Sequence, residues 1–95
     1  MKVIDYRRIP ATEEEGGYHK LLVMGIPGIR SNTQGKKVSV SLTRVILVHD
    51  DGALAEGIPW DAILEEQGEP NMARRTELAA ALHAVAAEYL RELAS

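Results

Sequence analysis

The chain of 95 residues contains no cysteine. It therefore has no disulfide framework, no thiolate nucleophile and no cysteine-ligated metal site, a composition that fits a reducing compartment. Long apolar runs are also missing: Val45 to Val48 is far short of a bilayer span, and Asp5, Arg7 and Arg8 occupy the stretch that a signal peptide needs to be apolar. These absences predict a cytoplasmic protein with no membrane partner.

Charge of one sign is missing from each of two long stretches. From Gly16 to His49 there is no carboxylate, and from Asp50 to Glu69 there is no lysine or arginine. Segregated charge produces a directional field, so we expect the two stretches to form distinct binding surfaces. The net charge of −3 and the pI near 5.6 argue against a general nucleic-acid coat, which is normally basic overall.

Length and composition predict one compact domain over residues 1–95, because 45% of the residues are hydrophobic and a chain of this size can bury a core unaided. Its first strand is expected at Lys2 to Ile9. A turn at Thr12 to Gly17 leads into a second strand at Tyr18 to Ile26, which Pro27 and Gly28 are expected to end.

The clearest strand begins at Lys37, where apolar residues alternate with Ser39, Ser41 and Thr43. The continuous apolar run from Val45 to Val48 predicts burial on both faces of the sheet. A straight strand of twelve residues, from Lys37 to Val48, would span about 40 Å. A bulge or bend near Thr43 is therefore expected between the two halves.

Two helices are predicted after the strands. The first is short, from Pro59 to about Gln67, with Trp60 on its apolar side. The second is long, capped by Asn71, and its apolar stripe consists of Leu78, Leu82, Val85, Tyr89 and Leu93.

The predicted fold class is α+β: a three-stranded antiparallel β-meander, a short helix and a long C-terminal helix packed on the sheet. One long helix cannot cover both faces of a sheet whose third strand is apolar on both sides. Either the short helix or a second copy of the chain closes the other face, and we favour a homodimer.

No catalytic or cofactor motif accompanies this fold, which predicts a protein that is not an enzyme and holds no cofactor. The serines have no recognisable activating partner. His49, Asp50 and Asp51 contain oxygen ligands for a divalent cation, with Asp61 or Glu65 as further ligands. A solvated acidic turn explains the same residues without a metal.

The candidate partner-binding residues are charged side chains around the two helices: Asp61, Glu65, Glu66, Arg74 and Arg75. The three carboxylates would present an acidic surface to a basic partner, or simply form the wet face of a helix. Arg74 and Arg75 are expected in the first turn of the last helix, where the helix macrodipole disfavours positive charge. Either the nearby glutamates or a bound anion would offset them.

Nucleic-acid binding is the main alternative. Its candidate residues are the cations of the strand-rich half, namely Lys20, Arg30, Lys36, Lys37 and Arg44. The glycine-containing segment from Gly25 to Lys37 lacks the spacing of a phosphate-binding loop, but a protruding basic hairpin would suit nucleic-acid phosphates. The serine and threonine side of the third strand would add a polar, hydrogen-bonding surface.

Two short motifs resemble a known family. Gly16-Gly17-Tyr18 followed by Ile26-Pro27-Gly28 is similar to the opening of HicB-type antitoxins, over about twenty residues. The resemblance implies binding to a toxin partner. That family turns into a helix soon after this point, whereas the segment from Lys37 to Val48 has the pattern of a strand.

The sequence thus favours a small noncatalytic interaction module, of the regulator or inhibitor type found on phages and other mobile elements, which binds a protein through charged surfaces. The alternatives are a nucleic-acid-binding sheet or hairpin module and an antitoxin-like protein. A metal enzyme based on His49 and the following acids is the least supported.

Overall fold

The computed structural model describes residues 1–55, 58, 60–64 and 69–95, leaving the side chains of 61, 62 and 69–71 undescribed. Three antiparallel strands form one sheet in the order β1-β2-β3, with β1 at Lys2–Ile9, β2 at Tyr18–Ser31 and β3 at Lys37–His49. A single helical turn, α1, follows at Trp60–Ile63, and a 26-residue helix, α2, spans Glu69–Ala94. The predicted α+β class, the meander and the long C-terminal helix are confirmed.

The predicted short helix is not seen as a full helix. Its described part is the one turn of α1, and residues 59 and 65–68 lie outside the described residues. Trp60 and Ile63 nevertheless contribute to the core, Ile63 being completely buried. A helix this short makes few internal hydrogen bonds, so this turn depends on packing for its stability.

Strand β2 runs through Pro27 and Gly28, so the prediction that these residues end it is wrong. Pro27 pairs with Ser41, and Gly28 pairs with Val40. The reason for Gly28 is close packing: a Cβ there would lie 2.6 Å from Leu42 Cδ1 and 2.8 Å from the carbonyl oxygen of Ile63. Glycine at this position lets α1 approach the sheet directly.

The irregularity predicted near Thr43 lies on the neighbouring strand. Val23 pairs with Arg44 and Ile26 with Leu42, which leaves Met24 and Gly25 opposite Thr43. Two residues facing one is a β-bulge, and Gly25 has the positive φ of 80° that such a position favours in glycine. The extra residue therefore belongs to β2, while β3 keeps its regular alternation.

The hydrophobic core lies between the sheet, α1 and one side of α2. Its completely or almost completely buried members are Leu21, Val23, Ile26, Ile46, Val48, Ile63 and Leu82. In α2 the predicted stripe is correct for Leu78 and Leu82, and Val85 and Tyr89 are half-buried. Leu93, however, is 51% exposed in the last turn of α2.

Helix α2 begins at Glu69, two residues before the predicted cap at Asn71. Pro70 fits this start because the first turn of a helix leaves its N–H groups without helical acceptors, so the missing N–H costs little. Arg74 and Arg75 consequently lie beyond the first turn, where the macrodipole has little effect on them.

Candidate functional site

The apolar run of β3 is buried on one face of the sheet only. Ile46 and Val48 are each 1% exposed, whereas Val45 is 44% exposed and Leu47 is half-buried. The prediction of burial on both faces is therefore wrong. Helix α2 and α1 supply apolar partners for the inner side chains, and the outer ones remain at the surface.

The outer side chains surround an open depression of about 420 Å³ on this uncovered side of the sheet. Lys20 pairs with Leu47 across the β2–β3 ladder, which places Leu47 on the same side. We call this surface the open face and define it as Asp5, Arg7, Lys20, Leu22, Val45 and Leu47.

Two cations are direct neighbours on the open face. Arg7 of β1 and Lys20 of β2 are register partners, and both side chains are exposed. Like charges directly opposite each other destabilise an antiparallel pair. Within the described part of the chain, neither cation has an ion pair, and Asp5 is the one carboxylate among the residues that define the open face. The two cations therefore outnumber the negative charge beside the exposed apolar groups.

A polar cluster links β1, β2 and the turn after β3. It lies on the core side of the sheet, at the same end as the open face. Tyr6 Oη lies 2.8 Å from His19 Nδ1, and His19 Nε2 lies 3.4 Å from Asp50 Oδ1. Arg8 donates hydrogen bonds from both terminal nitrogens to the Asp50 carboxylate, the Nη2 to Oδ2 distance being 3.0 Å. The Tyr6 ring also contacts those of His19 and Tyr89.

The Arg8 guanidinium, mainly through these hydrogen bonds, lowers the pKa of Asp50, and Asp50 correspondingly raises the pKa of Arg8. Asp50 is thus engaged by a cation of the chain itself. Among the residues that the structure describes, no three histidine, aspartate or glutamate side chains converge in a way that would hold a metal ion. The cluster acts chemically as a clamp that fixes the relative positions of β1, β2 and the turn after β3.

This cluster escaped sequence reasoning, although part of its signal was present. The β1–β2 hairpin register places Arg8 opposite His19 once Ile9 and Tyr18 are paired. Asp50 could not be added in this way, because its position depends on how β3 aligns with β2.

The predicted nucleic-acid-binding cations do not form one patch. Lys20 lies on the open face, whereas Arg44 lies opposite the buried Val23, on the core side of the sheet. Arg30 is half-buried near the far end of β2, about 33 Å along the strand from Lys20. Lys36 and Lys37 belong to the hairpin tip, where Lys37 Nζ donates to Ser31 Oγ at 3.0 Å.

The predicted partner-binding residues are less completely described. Glu65 and Glu66 lie outside the described residues, as does the side chain of Asp61. Arg74 is exposed, Arg75 is half-buried, and each already interacts with another group of the chain. Arg74 lines a cleft of about 330 Å³ between the start of α2, Met1 and the second half of β2.

No helix in the described part of the chain has the length and apolarity needed to cross a membrane. Comparison with models of known protein families, with characterised proteins and with solved structures finds no match. The resemblance to HicB-type antitoxins stays a prediction, and at the point where that family forms a helix this chain forms β3.

Proposed function

We propose that the protein is a noncatalytic interaction module that binds a partner protein through the open face of its sheet. The observation that carries this proposal is the pairing of Arg7 with Lys20 beside the exposed Val45. A partner segment with apolar and acidic side chains would bury the apolar groups and neutralise the two cations.

The apolar contribution is substantial for so small a surface. Burying a valine or leucine side chain fully contributes about 1.5 to 3 kcal/mol, so covering the exposed parts of Val45, Leu22 and Leu47 contributes a few kcal/mol. Adding carboxylates opposite Arg7 and Lys20 favours acidic partners over others and speeds their association. This combination supports a regulator or inhibitor that recognises one class of protein surface.

The open face suits a protein better than a nucleic acid. Proteins that bind nucleic-acid bases on a sheet stack them on aromatic side chains. Tyr6 lines the depression, but its ring packs against those of His19 and Tyr89, and Tyr18, on the same side as Lys20, is half-buried. The remaining candidate cations are spread over both faces and the hairpin tip. The antitoxin-like alternative is a narrower version of the same proposal, in which the partner is a toxin.

Affinity capture from the native host, with nuclease treatment, tests the proposal. We expect wild type to retain a protein partner after nuclease treatment and the Val45→Asp variant to lose it. Leu93→Asp is the matched control, because Leu93 is also an exposed apolar residue but lies in the last turn of α2. Retention by Val45→Asp, or release of the captured material by nuclease, would contradict the proposal.

A further inference from the structure

Between Ser39 and Thr43, the outer edge of β3 carries no further strand among the described residues, and it differs from the other edge of the sheet. The β1 edge carries Lys2, Asp5, Arg7 and Arg8, and a register irregularity interrupts its ladder between Val3 and Asp5. Charges and bulges of this kind prevent another strand from adding to an edge. From Val38 to Thr43 the β3 edge contains no charge, no proline and no bulge residue.

The chain itself shows which backbone groups of β3 point outward. His49 N donates to Ala53 O, and Ala55 N donates to Leu47 O, both at 2.8 Å. Because backbone direction alternates with a period of two along a strand, Ser39, Ser41 and Thr43 direct their N–H and C=O groups to the same edge as Leu47 and His49.

These outward groups have no backbone partner within the described residues. Among the described residues, the Thr43 carbonyl accepts a hydrogen bond from the guanidinium of Arg44 alone, at 2.9 Å and at an exposed position. A flexible, solvated side chain is easily displaced by a strand N–H, so this contact leaves the edge accessible.

We propose that the β3 edge from Ser39 to Thr43 accepts an extended segment of a partner protein as a fourth strand, with acidic residues flanking an uncharged centre. The proposal rests on the proposed function and adds the mode of recognition. The structure already contains one such pairing, because residues Ala53 to Ala55 pair with the same edge at Leu47 to His49. Main-chain hydrogen bonds supply affinity in such strand addition.

Charge complementarity identifies the occupant. Lys37 stands at one end of the uncharged stretch and Arg44 at the other, about 23 Å apart along the strand. A second copy adding its own β3 would bring the same two cations and no carboxylate to this edge, so it would leave Lys37 and Arg44 without a counter-charge. A segment with carboxylates at both ends meets a cation in either direction.

The test uses a fluorescent peptide of about nine residues in which alternating threonine and valine are flanked by aspartates, a length of about 30 Å as a strand. Binding to the full chain is measured by fluorescence anisotropy. We expect saturable binding that weakens with salt and is lost when lysines replace the aspartates. Equal binding of the lysine-flanked peptide would overturn the proposal.

Ser41→Pro locates the site. Proline there removes an outward N–H and leaves the hydrogen bonds to β2 in place, so we expect at least about tenfold weaker peptide binding with the fold retained by circular dichroism. Ser41→Thr is the matched control and should bind as wild type does. Unchanged binding by a folded Ser41→Pro variant would overturn the proposal.

If Ser41→Pro does not fold, the same peptide methylated on alternate backbone nitrogens is tested against wild type, and undiminished binding of both methylated registers overturns the proposal. Two other outcomes also overturn it. One is a wild-type dimer by sedimentation that Ser41→Pro dissociates. The other is tight binding of a single-stranded oligonucleotide that competes with the peptide. If the peptide does not bind, the strand-addition proposal fails. The broader proposed function is then still tested by affinity capture of a partner with wild type and with the Val45→Asp variant.

Discussion

Arg8 at the end of β1 and Asp50 just after β3 are 42 residues apart in the sequence and form an ion pair with two hydrogen bonds. The pair closes the end of the sheet, since it joins the first strand to the turn that follows the third. Its consequences for stability are measurable, because both groups titrate away from their ordinary values.

Acid should weaken the ion pair between Arg8 and Asp50. The pKa of Asp50 is lower in the folded chain than in the unfolded one, so its contribution is complete above about pH 4 and is lost as the pH falls through the folded value. We expect Asp50→Asn to be less stable than wild type at pH 7 and the difference to shrink as the pH is lowered past the ordinary carboxyl value of about 4. Urea denaturation at neutral pH and at strongly acidic pH measures this; an equal difference under both conditions would contradict it.

Gly17 and the Arg8–Asp50 pair should be energetically coupled. A Cβ at Gly17 would lie 3.0 Å from Asp50 Oδ2 and closer still to the Arg8 guanidinium. We expect Gly17→Ala to be accommodated by displacing the flexible end of Arg8, which breaks the ion pair. In a double-mutant cycle with Asp50→Asn, the two losses of unfolding free energy should therefore be less than additive. Additive losses would show that the alanine acts elsewhere.

Gly28→Ala should destabilise the protein by about 1 to 3 kcal/mol, the usual range for overpacking a well-filled site. The cause is the backbone carbonyl of Ile63, which lies 2.8 Å from the position of the new Cβ and cannot rotate away as a side chain can. Gly16→Ala is the control, since nothing lies within 4 Å of its Cβ position. Thermal denaturation of the two variants decides; equal stability would contradict the close approach.

Leu82→Ala should cost about 2 to 5 kcal/mol, because Leu82 is 1% exposed and its removal leaves a cavity between α2 and the sheet. Leu93→Ala should cost much less, since half of that side chain is already in solvent. Chemical denaturation of both variants compares them. A similar cost at the two positions would mean that α2 does not cover the sheet as described.

Lys20→Glu should raise the unfolding free energy by a few tenths to about 1 kcal/mol while weakening partner binding. The substitution replaces a like-charge pair with Arg7 by an attractive one. Lys36→Glu at the hairpin tip is the control, with no cationic register partner to relieve. If Lys20→Glu is more stable than wild type but no longer binds the partner, the pair of Arg7 and Lys20 serves binding at a cost in stability. If Lys20→Glu is less stable than wild type, this interpretation is contradicted.

The sequence by itself determined the elements whose signals are local. Alternating residues from Lys37 predict β3, and the spacing of Leu78 and Leu82 predicts the buried side of α2, because strand and helix periodicities appear within a few neighbouring residues. The turn before Tyr18 and the three-stranded order also follow from local turn signals. The candidate cations were identified as residues, although not as a surface.

Only the tertiary structure decided which apolar side chains are covered. Val45 and Ile46 have the same chemistry, yet one is exposed and the other buried, because α1 and α2 pack on one side of the sheet. Gly28 looks like a strand terminator until the carbonyl of Ile63 is placed beside it, and Asp50 looks like a metal ligand until Arg8 reaches it. These contacts join residues far apart in the chain, so no local pattern encodes them.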